Sequence, residues 1–264
     1  MKKRVLSAML VAAMAMTAMP SQTFAEGALD AAQQTGKLSY DGYKEVWSDE
    51  FDGDSLNRAD WNVETHEKGW VNNELQEYVD SSENIQVKDG KLIINPVKKV
   101  TDGDTGSTKE AASYTSGRVS TQNKQTFIYG RFECRAKVPK GQGYLPAFWL
   151  MANDENVYGQ WPRCGEIDCM EVMGQETNKA YGTIHYGNPH SESQGTYTIK
   201  GGADFSDDFH TFTCDWEPGK ITWYVDGVKY HEESDWYSTT VGQGTLTYPA
   251  PFDQPFYIIL NLAV

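Results

Sequence analysis

The feature that most restricts the fold of this chain is a long succession of short strand-like runs with almost no helical period between them. Residues 85–87, 92–97, 126–138, 147–151, 180–186, 210–216, 221–225 and 256–262 are rich in Val, Ile, Phe, Tyr, Trp and Thr, residues that pack well on a pleated surface. Two joints are sharp. Val87-Lys88-Asp89-Gly90-Lys91-Leu92 and Tyr224-Val225-Asp226-Gly227-Val228-Lys229 each set Asp-Gly between β runs, the signal for a type I′ hairpin and hence for antiparallel pairing. Many short strands with tight turns and one large core predict an all-β fold, a two-sheet antiparallel β-sandwich of jelly-roll type. Gly- and Ser-rich stretches at residues 102–107 and 191–202 read as loops.

The amino end reads differently. Lys2-Lys3-Arg4, an apolar run from Val5 to Met19 and then Thr23-Phe24-Ala25 have the order of a secretory signal peptide, residues 1–25, cleaved near Ala25. The apolar run is short for a membrane span, so a secreted, extracellular protein is expected. Residues 26–42 read as a flexible leader, and residues 43–264 as one domain, since no Pro/Ser-rich linker divides them. Loss of residues 1–25 removes Lys2, Lys3 and Arg4 and no acid, moving the formal charge from −14 to −17. Such a surface repels polyanions, so nucleic acid and anionic membrane are poor partners and a neutral polymer is not. Cys134, Cys164, Cys169 and Cys214 are even in number, which permits disulfides without requiring them; four buried thiols fit equally well.

Chemistry concentrates in Gly165-Glu166-Ile167-Asp168-Cys169-Met170-Glu171. Alternation along a strand puts Glu166 and Asp168 on one face, but it would bury Glu171 with the apolar set. A lone buried Glu is costly, so the pattern predicts a one-residue bulge at Cys169-Met170 that returns Glu171 to the acidic face. Two carboxyls brought within about 5–6 Å suit a glycosidase that works through a covalent intermediate, and a third acid between them raises its neighbours' pKa. A solvated acidic face or a calcium site are the competing readings, weakened by flanking Trp161, Pro162, Met170, Val172 and Met173.

Here the chain resembles glycoside hydrolase family 16, most of all its bacterial laminarinase (endo-β-1,3-glucanase) branch. The resemblance rests on Trp47-Ser48-Asp49-Glu50-Phe51-Asp52-Gly53, Asn72-Asn73-Glu74-Leu75-Gln76, Tyr114-Thr115-Ser116-Gly117-Arg118, Tyr129-Gly130-Arg131-Phe132-Glu133, Pro146-Ala147-Phe148-Trp149, the acid strand and Phe252-Asp253-Gln254-Pro255-Phe256. It implies a concanavalin-like jelly roll with a concave substrate cleft, with Glu166 as nucleophile, Asp168 as its assistant and Glu171 as acid/base. Met170 is the extra residue that distinguishes laminarinases, agarases and carrageenases from lichenases, and the acidic charge favours a neutral β-glucan among these. The family's Trp before Pro146 is Leu145 here, with Tyr144 as the nearest substitute ring. By the same resemblance the chain, ending at Val264, lacks a C-terminal closing strand.

The remaining candidates are Trp149 and Trp161 as sugar-stacking platforms, and Asn73, Arg118 and His185 as further substrate contacts. Glu50 is a candidate ligand for a structural calcium ion; no cofactor is expected for catalysis. His66, His190, His210 and His231 show no metal-ligand spacing in sequence. A monomer acting on internal β-1,3-glucosidic bonds is expected. A mixed-linkage β-1,3-1,4-glucanase and a secreted β-glucan-binding lectin are the alternatives, because one fold serves several functions.

Overall fold

The computed structural model describes residues 40–99, 113–240 and 242–264. The expected signal peptide, the leader up to residue 39 and the loop at 102–107 lie outside these. In chain order the strands are β1 (Asn62–Val63), β2 (Gln76–Tyr78), β3 (Ile85–Val87), β4 (Leu92–Ile94), β5 (Val97–Lys99), β6 (Ser113–Ser116), β7 (Arg118–Ser120), β8 (Gly130–Ala136) and β9 (Leu145–Ala152). They continue with β10 (Glu166–Glu171), β11 (Lys179–Tyr186), β12 (Ser191–Thr198), β13 (His210–Glu217), β14 (Lys220–Val225), β15 (Val228–Glu233), β16 (Tyr237–Thr240), β17 (Gly244–Thr247) and β18 (Phe256–Ala263). Among the described residues no helix is long and apolar enough to cross a membrane.

Two main sheets form the sandwich: a seven-stranded one in the order β1-β7-β18-β9-β10-β11-β12 and a four-stranded one in the order β15-β14-β13-β8. Every pair in them is antiparallel. Both Asp-Gly joints are hairpin turns with positive φ at both central residues, Asp89 and Gly90 between β3 and β4, Asp226 and Gly227 between β14 and β15, as a type I′ turn requires. One pair departs from the antiparallel expectation: β2 runs parallel to β6, which the long excursion through β3, β4 and β5 between them allows.

Between the sheets lies one core. Ile167 and Cys169 of β10, Ala180 and Ile184 of β11 and Leu150 of β9 meet Phe212, Cys214, Trp216, Ile221, Trp223 and Val225 from the smaller sheet. Each large apolar side chain buried there contributes about 1.5–3 kcal/mol. The sheets approach tightly where Gly182 and Gly195 stand opposite each other in β11 and β12. A Cβ on Gly182 would overlap the Trp223 ring and the Tyr230 hydroxyl, and one on Gly195 would overlap His231; Trp223 and His231 are stacked 4.7 Å apart over this saddle.

The structure corrects two sequence readings here. Residues 191–198, expected as loop, are strand β12, hydrogen-bonded along its length to β11. As an edge strand it has Glu192, Gln194, Thr196 and Thr198 exposed on one face, so it lacks the apolar alternation by which strands are recognised. The folded body also begins before residue 43: Tyr40 donates to Glu133 at 2.6 Å and lies under the Arg131 guanidinium. All four cysteines are free, and burial pushes the Cys134 and Cys164 thiols up to about 12.

Candidate active site

The bulge in β10 is present where alternation demanded it. Glu166, Ile167 and Asp168 pair in step with Met151, Leu150 and Trp149 of β9, then the register slips by one so that Met170 faces Phe148 and Glu171 faces Ala147. The same slip appears against β11 between Asp168 and Glu171. Cys169 and Met170 both enter the core, while Glu171 returns to the half-open face beside Glu166. From behind, the Trp223 indole donates to the Asp168 carbonyl at 2.8 Å, holding the strand at the residue where the bulge begins. Gly165 sets the entry to the strand: its φ is +83°, and Pro251 and Phe252 occupy the space a side chain would need.

Glu166, Asp168 and Glu171 therefore line the outer face of the seven-stranded sheet, away from the core. Asp168 is the deepest, at 2% exposure. Burial and the charge of Asp168 drive the Glu166 carboxyl well above the usual range, the nearby His185 opposing them. Burial and the Glu171 charge do the same to Asp168, and burial raises Glu171. Two groups meet Glu166 and Asp168 from the wall: the Trp161 indole donates to Glu166 Oε2 at 2.8 Å, and His185 Nε2 lies 3.1 Å from Asp168 Oδ2 and 3.9 Å from Glu166 Oε1 without an aligned hydrogen bond to Asp168 Oδ2. The cluster can keep a proton near neutral pH and still present an ionised carboxylate, the combination acid and nucleophile chemistry requires.

Register explains the rest of the floor. Glu171, Ala147, Asn261 and Arg118 form one row across β10, β9, β18 and β7, and Trp149 stands one row away, level with Asp168. Trp149 donates to Asn261 Oδ1 at 2.7 Å, Asn261 donates to the Tyr78 hydroxyl at 3.0 Å, and the Arg118 guanidinium lies 4.8 Å from the Trp149 ring and 5.3 Å from Trp70. Arg118 is 6% exposed and donates to Glu64 at 2.5 Å. Against the effect of burial, its charge holds the Glu64 carboxyl below the ordinary range.

Of the sequence candidates, Trp161, His185, Trp149 and the three acids thus share one surface. Arg118, the other expected contact, lies buried against the Trp149 and Trp70 rings, with its Nε donating to Glu64. Asn73 is exposed at a positive φ in the loop between Trp70 and Gln76. Glu50 is exposed and stands in neither group of three His, Cys, Asp or Glu ligands found close together among the described residues. Both groups contain His185, and one of them joins it to His190 and Glu192. His190, which shows no metal-ligand spacing in sequence, is brought to His185 by a five-residue step that spans a hairpin. Trp223 and Asn261, which hold the bulge and Trp149, were missed altogether, for their roles depend on partners far away in the chain.

With the geometry in view, similarity to known proteins is direct. The family model for glycosyl hydrolases family 16 matches residues 70–262. A glucan endo-1,3-beta-glucosidase A1 of Niallia circulans is 40% identical over 83% of the chain, which spans 33% of that enzyme. A glucan endo-1,3-beta-glucosidase of Cryptopygus antarcticus is 42% identical over 83% of the chain and 79% of its own length. The catalytic domain of an endo-1,3-beta-glucanase (laminarinase) from Thermotoga petrophila superposes with a TM-score of 0.67 at 37% identity, covering 84% of this chain and 86% of that one.

Proposed function

The chain belongs to glycosyl hydrolases family 16, and on that premise we propose that it hydrolyses internal β-1,3-glucosidic bonds of a laminarin-type glucan with retention of anomeric configuration. The observation that carries the reading is the bulged strand, which sets three carboxylates on one face with their pKa values raised. Relatives named for endo-1,3-β-glucanase activity support the linkage, and the net charge of −14 favours a neutral polymer over a polyanion.

In the proposed reaction Glu166 attacks the anomeric carbon while Glu171 gives its proton to the departing glycosidic oxygen. A glucosyl ester on Glu166 forms and the oxygen–carbon bond of the chain breaks. Glu171, now ionised, takes a proton from water, whose oxygen displaces Glu166 and restores both carboxyls. The Trp161 indole hydrogen bond supports Glu166 as the anion, and Asp168, the most buried acid, holds the proton that the two share. Burial keeps Glu171 protonated as the general acid, and Glu166, whose own carboxyl is raised as well, reaches its nucleophilic form by leaving its proton on Asp168. Trp161, 45% exposed, and the braced Trp149 ring offer faces for glucose C–H surfaces. Export is part of the same proposal, supported by the basic, apolar and small-residue order of residues 2–25.

Reducing-sugar release from laminarin, with proton NMR of the first product anomer, tests this on the full chain and on Glu166→Gln, with circular dichroism on both. A β-anomer formed first by the wild type and lost in a folded variant is expected. An α-anomer first would remove the double-displacement mechanism; laminarin bound but uncut by the wild type would leave only a glucan-binding role.

A further inference from the structure

We propose that His185, His190 and Glu192 form a binding site for a divalent transition-metal ion of the zinc type at the lip of the cleft. The three residues come from the end of β11, the turn after it and the start of β12, so one hairpin supplies the whole set. His185 Nδ1 lies 2.9 Å from His190 Nε2 and 3.5 Å from Glu192 Oε2, and the latter two atoms are 4.0 Å apart. A single point about 2.1 Å from all three atoms satisfies those separations, the ordinary zinc-to-imidazole and zinc-to-carboxylate distance. Two imidazole nitrogens with one carboxylate oxygen are zinc and copper donors rather than calcium donors. His190 and Glu192 are exposed, which gives an ion a path in and leaves a position open to solvent.

A second observation points the same way. Asp168 Oδ2 is buried, makes no aligned hydrogen bond and lies 3.1 Å from the other ring nitrogen of His185. Imidazoles that hold a metal through one nitrogen commonly donate the second N–H to a carboxylate, which fixes the ring and its tautomer. An ion on Nδ1 obliges His185 to carry its proton on Nε2, where it faces that unpartnered oxygen. In the metal-free protein the two imidazoles share one hydrogen bond; the ion replaces it, and the proton moves to the outer nitrogen of the ring that carried it. The neighbouring group of Glu166, Asp168 and His185 offers a single nitrogen and would draw two carboxylates out of their mutual contact, so the hairpin set is the better zinc site. An ion there fixes His185 beside Glu166 and adds positive charge at the cleft lip, so it inhibits glucan cleavage; that consequence rests on the proposed activity, whereas binding does not.

Titration calorimetry of the chelator-treated full chain with zinc chloride is expected to show one ion per chain, and Cu2+ bound to the same protein to show hyperfine splitting from two nitrogens. His190→Ala and Glu192→Gln should each weaken zinc about tenfold or more, with melting curves confirming that both fold, while Glu166→Gln should leave zinc affinity nearly unchanged. Zinc inhibition of laminarin cleavage, scaled to each protein's own metal-free rate, should weaken in parallel with binding. Undiminished zinc affinity in both hairpin variants, or a copper spectrum without nitrogen splitting, would overturn the site. Loss of zinc in Glu166→Gln alone would overturn it in favour of the carboxylates. A metal-free chain that binds zinc as expected but cuts no laminarin would sink the substrate reading and leave the metal site standing.

Discussion

The two faces of strand β10 are built to opposite ends. Toward the core, Ile167, Cys169 and Met170 are almost wholly buried among Trp223, Phe212 and Cys214, and every one of them favours the folded state. Toward the cleft, Glu166, Asp168 and Glu171 sit so close and so dry that each resists ionisation, and at neutral pH they work against it. The comparison teaches how an unfavourable cluster is held in place. The bulge is pinned from the apolar side, by packing and by the Trp223 hydrogen bond to the Asp168 carbonyl, so the acidic side need not stabilise itself.

The largest test of that division lies on the cleft face. Glu171→Gln should lower kcat/KM on laminarin by roughly 10³-fold, within the range of a lost general acid, with the melting temperature no lower than that of the wild type. A variant that loses activity and stability together would mean that the cleft face also supports the fold. Next in size is the core side. Gly182→Ala must push a methyl group into Trp223 and Tyr230, costing about 3 kcal/mol and roughly 6–12 °C of melting temperature; a shift under 2 °C, on that same scale, would show that the sheets do not meet as closely as described.

Smaller and more discriminating is Trp223→Phe. It keeps most of the ring but leaves the Asp168 carbonyl without its donor, at about 1–3 kcal/mol, and it should reduce kcat severalfold with KM little changed. If KM rises instead, the indole serves substrate binding and not the bulge. The smallest effect carries the opposite sign. Asp168 has a pKa raised on folding, so its favourable contribution is complete below the unfolded-state pKa and is lost as pH rises through the folded one. Asp168→Asn removes that loss, so its melting temperature should exceed that of the wild type by an amount that grows from pH 4 to pH 8, while activity falls. A constant or shrinking gap would mean that Asp168 is ionised without cost.

Much of the fold was legible because it rests on local rules. The Asp-Gly hairpins, most strands and the bulge at Cys169-Met170 follow from turn chemistry and from the two-residue period of side chains. Strand β12 was not legible, because its polar outward row and Gly195 carry no apolar alternation, and it is a strand only because β11 offers a paired edge. The ion pair of Arg118 with Glu64 was not legible either, since nothing near Arg118 in sequence announces that partner.

By itself the sequence determined that this protein is a stack of short antiparallel strands and that Glu166, Asp168 and Glu171 share a face. Both depend on neighbours within a few residues, where backbone geometry leaves little choice. Only the tertiary structure decided what surrounds those acids: Trp161 and His185 at Glu166 and Asp168, Trp223 from the second sheet, His190 and Glu192 across a hairpin. Such meetings are set by strand register and sheet packing, which sum over the whole core and are written at no single position.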